Sequence, residues 1–353
     1  MSGFGFDRAL EPKKVRRHDN RRARTPGSSV IVIRTQKQSD CFRGQYGKNY
    51  RAKVSDGDLQ ESAEQNVKIM DAVGTDVQLL SPRPFLTLNG TARWEDIVDW
   101  TCDTNDMIAR TVKMFPNRFR GVGALPQQAG RPVESLFDEI ERVVDDLGFV
   151  GILLNPDPSE GMNGSPPLGD PYWYPLYRRL CELDLPAHIH SGQCCNGRES
   201  YDEHFIAEEG LAITSVYRAN VFDRFPDLKL MISHGGGPIP YQIGRWRSHR
   251  EMARAQGRIA ADAPSFDEIL RKFWFDTVLH NPDSLDLLVK TVGYDRCCFG
   301  TERPGSGDGI DPLTRRHYDD LKPVIEGLTS LDDEARACIF EHNARKLFTR
   351  LDV

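Results

Sequence analysis

The chain has 353 residues, a formal net charge of −6 and eight cysteines. This length fits one large domain or two ordinary ones, and the acidic balance argues against a nucleic-acid partner or an anionic membrane surface. No apolar run approaches the roughly 18 residues that a membrane span needs, and the cysteines lack the spacing of a disulfide framework. We therefore expect a cytoplasmic enzyme with reduced thiols.

The first segment of the chain differs in charge from everything that follows it. Residues 1–53 contain 14 lysines and arginines against four acidic residues, although the chain as a whole is acidic. Such a shift predicts a boundary. We expect an atypical basic segment over residues 1–54, which contains or replaces the first strand, and a single barrel domain over residues 55–353.

Short β-rich runs alternate with longer segments of helical period along the rest of the chain. The expected strands are residues 29–33, 76–80, 119–125, 149–154, 186–190, 228–234, 273–278 and 296–301. Expected helices include residues 94–115 and 133–147, where apolar residues recur every three to four positions. This alternation predicts a parallel sheet covered by helices, and eight repeats favour a (β/α)8 TIM barrel over an open doubly wound sheet. Residues 313–351 are expected to form a C-terminal helical cap.

Three polar residues at the ends of expected strands are candidates for chemistry, because a barrel presents its functional groups there. His234 closes an apolar strand and is followed by three glycines, which open the backbone to a ligand. His190 is the last residue of its strand and is placed to reach a metal, and Glu302 could bind the same ion or exchange a proton with water. An ion pair with Arg303 is the alternative for Glu302.

Other polar residues are weaker candidates. His188 shares a face with His190 but lies lower in the strand, so we expect it to pack in the core. Arg83, Asn155 and Arg245 are candidate substrate-binding residues that hold carboxylates, and ordinary surface contacts are the alternative for each. The remaining histidines, His204 among them, are expected at the surface. The pairs Cys194–Cys195 and Cys297–Cys298 are expected to be buried.

Four stretches of the sequence together resemble a known family. They are Leu153-Leu-Asn-Pro-Asp-Pro-Ser159, Asp170-Pro-Tyr-Trp-Tyr-Pro-Leu-Tyr177, Leu185-Pro-Ala-His-Ile-His190 and Ser233-His-Gly-Gly-Gly-Pro-Ile-Pro-Tyr-Gln-Ile-Gly-Arg-Trp246. The combination resembles the aminocarboxymuconate-semialdehyde-decarboxylase-type branch of the amidohydrolase superfamily, from about Ser55 to the C-terminus. Within the branch, Gly300-Thr-Glu302 is similar to the hydratases that act on 4-oxalomesaconate, because the decarboxylases have aspartate at this position.

The resemblance implies an amidohydrolase-type barrel and a zinc-dependent lyase of aromatic acid catabolism. It implies that His190 is a zinc ligand, that Glu302 is a ligand or an acid/base near the metal, and that His234 is a general acid/base. Arg245 matches an arginine that reaches the substrate of a neighbouring subunit in related decarboxylases, which implies a homodimer. A non-oxidative decarboxylase of an aromatic or muconate-type acid is the alternative within the branch.

One part of the family pattern is missing. The family begins with a strand that ends in H-x-H and supplies two zinc ligands, whereas this chain has Arg34 and Gln36 at those positions. Neither side chain is a good zinc ligand. The first residues could come from a shifted reading frame, the domain could have lost its metal, or another residue such as Cys41 could substitute. A metal-free, inactive barrel with a binding role is therefore the alternative of another class.

Overall fold

The computed structural model describes residues 54–82, 92–301, 303, 307 and 309–352, together with the backbone of residues 30–34. Its strands are β1 (Val30–Arg34), β2 (Val77–Ser81), β3 (Phe119–Gly123), β4 (Gly151–Leu154), β5 (Ala187–Ile189), β6 (Leu230–Ile232), β7 (Trp274–Asp276) and β8 (Cys297–Cys298). They form one sheet in chain order, and every neighbouring pair is parallel. A strand lies at each of the eight expected places, with the predicted length in β1 and β2 and two to four residues fewer in the others.

Helices connect the strands, as the alternation predicts. They are α1 (Asp56–Val73), α2 (Trp94–Met114), α3 (Phe137–Glu141), α4 (Tyr174–Glu182), α5 (Tyr201–Arg218), α6 (Val221–Arg224), α7 (Ile243–Ala255), α8 (Phe266–Leu270), α9 (Pro282–Val292), α10 (Lys322–Glu326), α11 (Asp333–Ala337) and α12 (Asn343–Leu347). Around α3 the helix over residues 133–146 starts as a 3₁₀-helix and ends as a π-helix. None of the helices in the described part of the chain is long and apolar enough to cross a membrane.

Two apolar layers lie on opposite faces of the sheet. Residues such as Leu80, Ile152 and Ile189 pack against the helices. Their strand neighbours, such as Leu79 and Leu153, form a second cluster with Leu347 and three other residues near the C-terminus. Parallel strands that are buried on both faces need apolar residues at consecutive positions, which this sequence provides. The last helix, α12, therefore packs with the second cluster, whereas Ile325 of α10 and Ala335 of α11 belong to the cluster of the connecting helices. The role of residues 313–351 as a cap stays a prediction.

The register of β5 fixes the direction of the two histidines in this strand. His188 is in register with Leu153 of β4 and Met231 of β6, both of which belong to the cluster near the C-terminus. Because side chains alternate across a strand, His190 faces the same side two residues nearer the carboxyl end of the sheet. The face of the sheet that carries Leu153, Met231 and His188 is thus apolar along the strands and becomes polar at their carboxyl ends, where His190 lies.

Candidate functional site

The carboxyl ends of β4, β5 and β6 bring three predicted residues to one edge of the sheet. Asn155 follows β4, His190 follows β5 and His234 follows β6, and all three are buried. In a parallel sheet this edge carries the residues that do chemistry. The predicted histidines are therefore assembled by the fold at the expected place.

His190 has a defined tautomer. Its Nδ1 lies 2.6 Å from the backbone oxygen of Ser191. A carbonyl oxygen only accepts, so Nδ1 carries the proton and Nε2 carries the lone pair. Histidines that bind metals are usually held by such a second hydrogen bond, and the fully buried ring of His190 fits a metal ligand that binds through Nε2.

His234 is paired with a buried carboxylate that the sequence analysis missed. Its Nδ1 lies 2.9 Å from both carboxylate oxygens of Glu209, whose side chain on α5 is completely buried. The carboxylate accepts the Nδ1 proton and stabilises a positive charge on the ring. This is the arrangement of a histidine that accepts and returns a proton through Nε2.

The glycines after His234 allow this pairing. His234 has φ 50°, and the three following glycines also have positive φ. A Cβ on Gly237 would lie 2.3 Å from the backbone oxygen of Ile206 on α5. Only glycine permits so close an approach, and the approach brings His234 to Glu209, which lies one helical turn beyond Ile206.

The two histidine rings contact each other under an aromatic side chain. The ring centroids of His190 and His234 are 4.8 Å apart, and Phe205 lies 4.5 Å from His234 and 5.4 Å from His190. The ligand atoms of His190, Glu209 and His234 all lie within 4.8 Å of one another. Imidazole and carboxylate groups are donors that suit zinc and similar divalent ions, so the residues present fit a metal held by His190 beside the pair of His234 and Glu209. We call this group the central cluster.

His188 lies below the central cluster, as predicted. Its Nε2 is 2.7 Å from the hydroxyl of Ser233 and 3.8 Å from a carboxylate oxygen of Asp276. Asp276 also accepts the backbone N–H of Gly235 at 3.3 Å. These contacts link β5, β6 and β7 directly beneath the glycine turn that carries His234.

The predicted substrate-binding residues have different surroundings. The Oδ1 atom of Asn155 accepts the backbone N–H groups of Asp157 at 3.0 Å and Gly192 at 3.3 Å, so this residue joins two loops. Arg245 is exposed on α7, so the fold of this chain does not by itself place it in the site. Arg83 and Glu302 lie outside the described residues. The guanidinium of Arg303 forms an ion pair with buried Asp319 at 2.8 Å.

Two expectations about other residues were wrong. His204 is 1% exposed, because the loops after β4 and β5 fold over the N-terminal turns of α5. Cys195 is exposed, whereas Cys297 and Cys298 are buried as predicted. The signal for Glu209 was present in the sequence: an acidic residue occupies the same face of α5 as the buried Ala212, Ile213 and Val216.

Comparisons with known proteins agree with this geometry. The profile of the family described as Amidohydrolase matches residues 34–350. The 2-keto-4-carboxy-3-hexenedioate hydratase of Sphingobium sp. is 36% identical over 322 residues, which are 90% of this chain and 92% of that protein. The 2-amino-3-carboxymuconate-6-semialdehyde decarboxylase of Dictyostelium discoideum is 32% identical over 236 residues, 65% of this chain and 63% of that protein.

A solved structure shares the whole fold. The crystal structure of 4-oxalomesaconate hydratase from Rhodopseudomonas palustris superposes with a TM-score of 0.80 at 33% identity, over 92% of this chain and 96% of that one. The family profile covers residues 34–350, and the hydratase relative and the solved structure each cover at least 90% of the chain. The chain belongs to the amidohydrolase family.

Proposed function

We propose that the chain is a metal-dependent hydro-lyase that adds water reversibly across the double bond of 4-oxalomesaconate or a similar unsaturated oxo-tricarboxylate. The observation that carries this proposal is the pair of His234 and Glu209 next to His190. Two hydratases are among the most similar relatives, at 36% and 33% identity. The glutamate at position 302, instead of the aspartate of the decarboxylases, supports the same choice.

The residues divide the work of the reaction. Hydration forms a C–O bond and a C–H bond across the alkene, so one proton must leave water and one must reach carbon. His234 accepts or delivers a proton at Nε2, while Glu209 stabilises the positively charged ring. His190 and Glu302 would hold the metal. When bound, zinc or another divalent ion would supply Lewis acidity to water or to the oxo-acid group.

Further parts of this proposal concern the substrate and the assembly. Arg83 and Arg245 would bind substrate carboxylates at two points through their planar guanidinium groups, and Asn155 would donate a hydrogen bond from its side-chain amide. The exposure of Arg245 on α7 is consistent with a homodimer in which this arginine serves the neighbouring subunit. We also propose that β8 and β1 close the sheet into a barrel of the amidohydrolase type, capped by the C-terminal helices.

The test follows the substrate and its products with the purified full chain loaded with Zn²⁺. We expect 4-oxalomesaconate to be consumed with the formation of the hydrated tricarboxylate and without release of carbon dioxide. His234→Gln should abolish most of the turnover. Release of carbon dioxide from a muconate-type or aromatic acid would support the decarboxylase instead. No turnover of either substrate, together with less than about a tenth of an equivalent of bound zinc, would rule out both enzymes. The chain would then be a metal-free barrel with a binding role.

A further inference from the structure

A second group of potential metal ligands lies outside the central cluster. The ligand atoms of Asp157, His204 and Glu208 lie within 4.8 Å of one another. Asp157 belongs to the loop after β4, while His204 and Glu208 are one turn apart on α5 and therefore share a face of this helix. We call these three residues the lateral cluster, and none of them has a role in the proposed reaction.

His204 presents a buried nitrogen to the two carboxylates. Its Nδ1 lies 3.0 Å from a carboxylate oxygen of Glu199, which accepts the proton and fixes the tautomer with the lone pair on Nε2. Nε2 is buried and has no hydrogen-bond partner among the described residues. It lies 3.7 Å from Oδ2 of Asp157, too far for a hydrogen bond. A buried nitrogen of this kind needs a partner, and a carboxylate on the other ring nitrogen is typical of metal-binding histidines.

The surroundings of His204 are acidic: carboxylates of Asp157, Glu199 and Glu208 all lie next to this histidine. No lysine or arginine in the described part of the chain forms an ion pair with Asp157, Glu199 or Glu208. Three carboxylates thus face one histidine, and a divalent ion bound among them would reduce their mutual repulsion.

The position of Asp157 is fixed before any ion binds. Its Oδ1 accepts the backbone N–H of Ser159 at 3.0 Å, and its Oδ2 accepts the backbone N–H of Gly161 at 2.6 Å. A cavity of about 580 Å³ is lined by Asp157 and Glu208, so an ion has a path to both carboxylates. A preformed ligand and an entry path are what a metal site requires.

We propose that Asp157, His204 and Glu208 form a second divalent-cation site, separate from the central cluster, with Glu199 as the residue that positions His204. One imidazole and two carboxylates suit Zn²⁺ or Mn²⁺ better than Ca²⁺, which takes oxygen ligands. The ion would join the loop after β4 to α5 and would leave room for water on the side of the cavity.

The experiment uses the full chain with His190→Ala and His234→Ala, which disable the central cluster. After treatment with a chelator and dialysis, Mn²⁺ is titrated and followed by electron paramagnetic resonance, with Zn²⁺ content by mass spectrometry as a second measure. We expect one equivalent of bound metal, lost when His204→Gln is added and retained with Asp202→Asn, which removes an exposed charge from the same helix. Glu199→Gln should weaken binding about 10- to 100-fold without abolishing it.

Two results would overturn the proposal: no metal bound above the background of His204→Gln, or an equivalent that survives Asp157→Asn but is lost with Cys194→Ser. The latter would assign the ion to the neighbouring group of Cys194, Glu199 and His204. Circular dichroism establishes that each variant is folded. If the variant without the central histidines does not fold, the wild-type chain answers the same question, because His204→Gln must then lower bound metal by one equivalent relative to Asp202→Asn.

Discussion

Glu208 and Glu209 are consecutive residues of α5, and they serve two clusters whose charges are balanced in different ways. Glu209 is completely buried and contacts the protonated nitrogen of His234 with both oxygens. Glu208 shares its surroundings with Asp157 and Glu199, and burial raises its pKa to about 7. A buried carboxylate is stable beside a histidine that donates a hydrogen bond to it, whereas a group of carboxylates around one histidine favours the binding of a cation.

The backbone supports of the two clusters differ as well. A turn of consecutive glycines holds the central cluster against α5. The lateral cluster joins the loop that carries Asp157 to α5, and a capping box of Ser200 and Glu203 fixes the start of this helix. We therefore expect substitutions at the glycine turn to affect the whole fold and substitutions in the loops to have local effects.

The largest expected effect concerns the pair of Glu209 and His234. Glu209→Gln removes the charge that stabilises the protonated ring, so we expect kcat for hydration to fall by about 100-fold or more, with little change in KM. Glu209→Asp keeps the charge and should retain more activity. Asp202→Asn is the control, since it removes an exposed acid from the same helix. A kcat within about threefold of wild type for Glu209→Gln would show that the pair has only a structural role.

The second prediction separates backbone strain from steric overlap. Gly237→Ala adds a Cβ 2.3 Å from the backbone oxygen of Ile206, whereas Gly257→Ala meets no atom within 4 Å although its φ is also positive, at 64°. We expect Gly257→Ala to lower the free energy of unfolding by about 1–2 kcal/mol and Gly237→Ala by about 3 kcal/mol or more. Urea unfolding measures both values. Equal losses would mean that the turn adapts and does not need its close contact with α5.

The third prediction compares a buried asparagine with a partly exposed one. Asn155 and Asn196 each accept two backbone N–H groups, those of Asp157 and Gly192 in the first case and those of Arg198 and Glu199 in the second. Because water reaches the partly exposed acceptor of Asn196 and not the buried one of Asn155, Asn155→Ala should lower the free energy of unfolding by about 1–3 kcal/mol. Asn196→Ala should stay within about 0.5 kcal/mol of wild type. A raised KM would accompany this loss if Asn155 also binds a substrate carboxylate, as proposed, and unchanged stability would contradict its role in joining the two loops.

The order of the strands and the position of His190 and His234 could be predicted from the sequence, because both depend on local periodicity and on one geometric rule. Parallel strands end at one edge, so polar residues at strand ends meet there whatever the loops do. The glycines after His234 were a further local signal for a close approach of the backbone.

The missed residues depend on contacts between distant segments. His204 has no local feature that distinguishes it from a surface histidine, and only the loops that carry Asp157 and Glu199 bury it. Glu209 could have been recognised from its place on the apolar face of α5, but its partner is 25 positions along the chain. The burial of Cys195 was predicted wrongly because a thiol in a long loop is governed by the loop and not by its own hydrophobicity.

The smallest expected effect concerns a hydrogen bond between the loop after β4 and the loop after β5, next to the lateral cluster. The thiol of Cys195 donates to the carboxylate of Glu160 at 3.0 Å, and this hydrogen bond raises the pKa of Cys195 to about 11. The thiolate fraction at pH 8 is therefore small although the residue is exposed, and alkylation should accelerate as the pH rises towards 11. Glu160→Gln removes the charge, so we expect alkylation at pH 8 to become about tenfold faster.

Iodoacetamide labelling followed by peptide mass spectrometry measures this rate at Cys195 separately from the other thiols. Asp202→Asn is again the matched control, because its carboxylate is exposed and makes no contact with the thiol. An unchanged rate in Glu160→Gln would mean that the two loops separate often enough to expose the thiolate in the wild-type chain. The lateral cluster would then lack a fixed loop on one side, in contrast to the central cluster, whose glycine turn stays packed against α5.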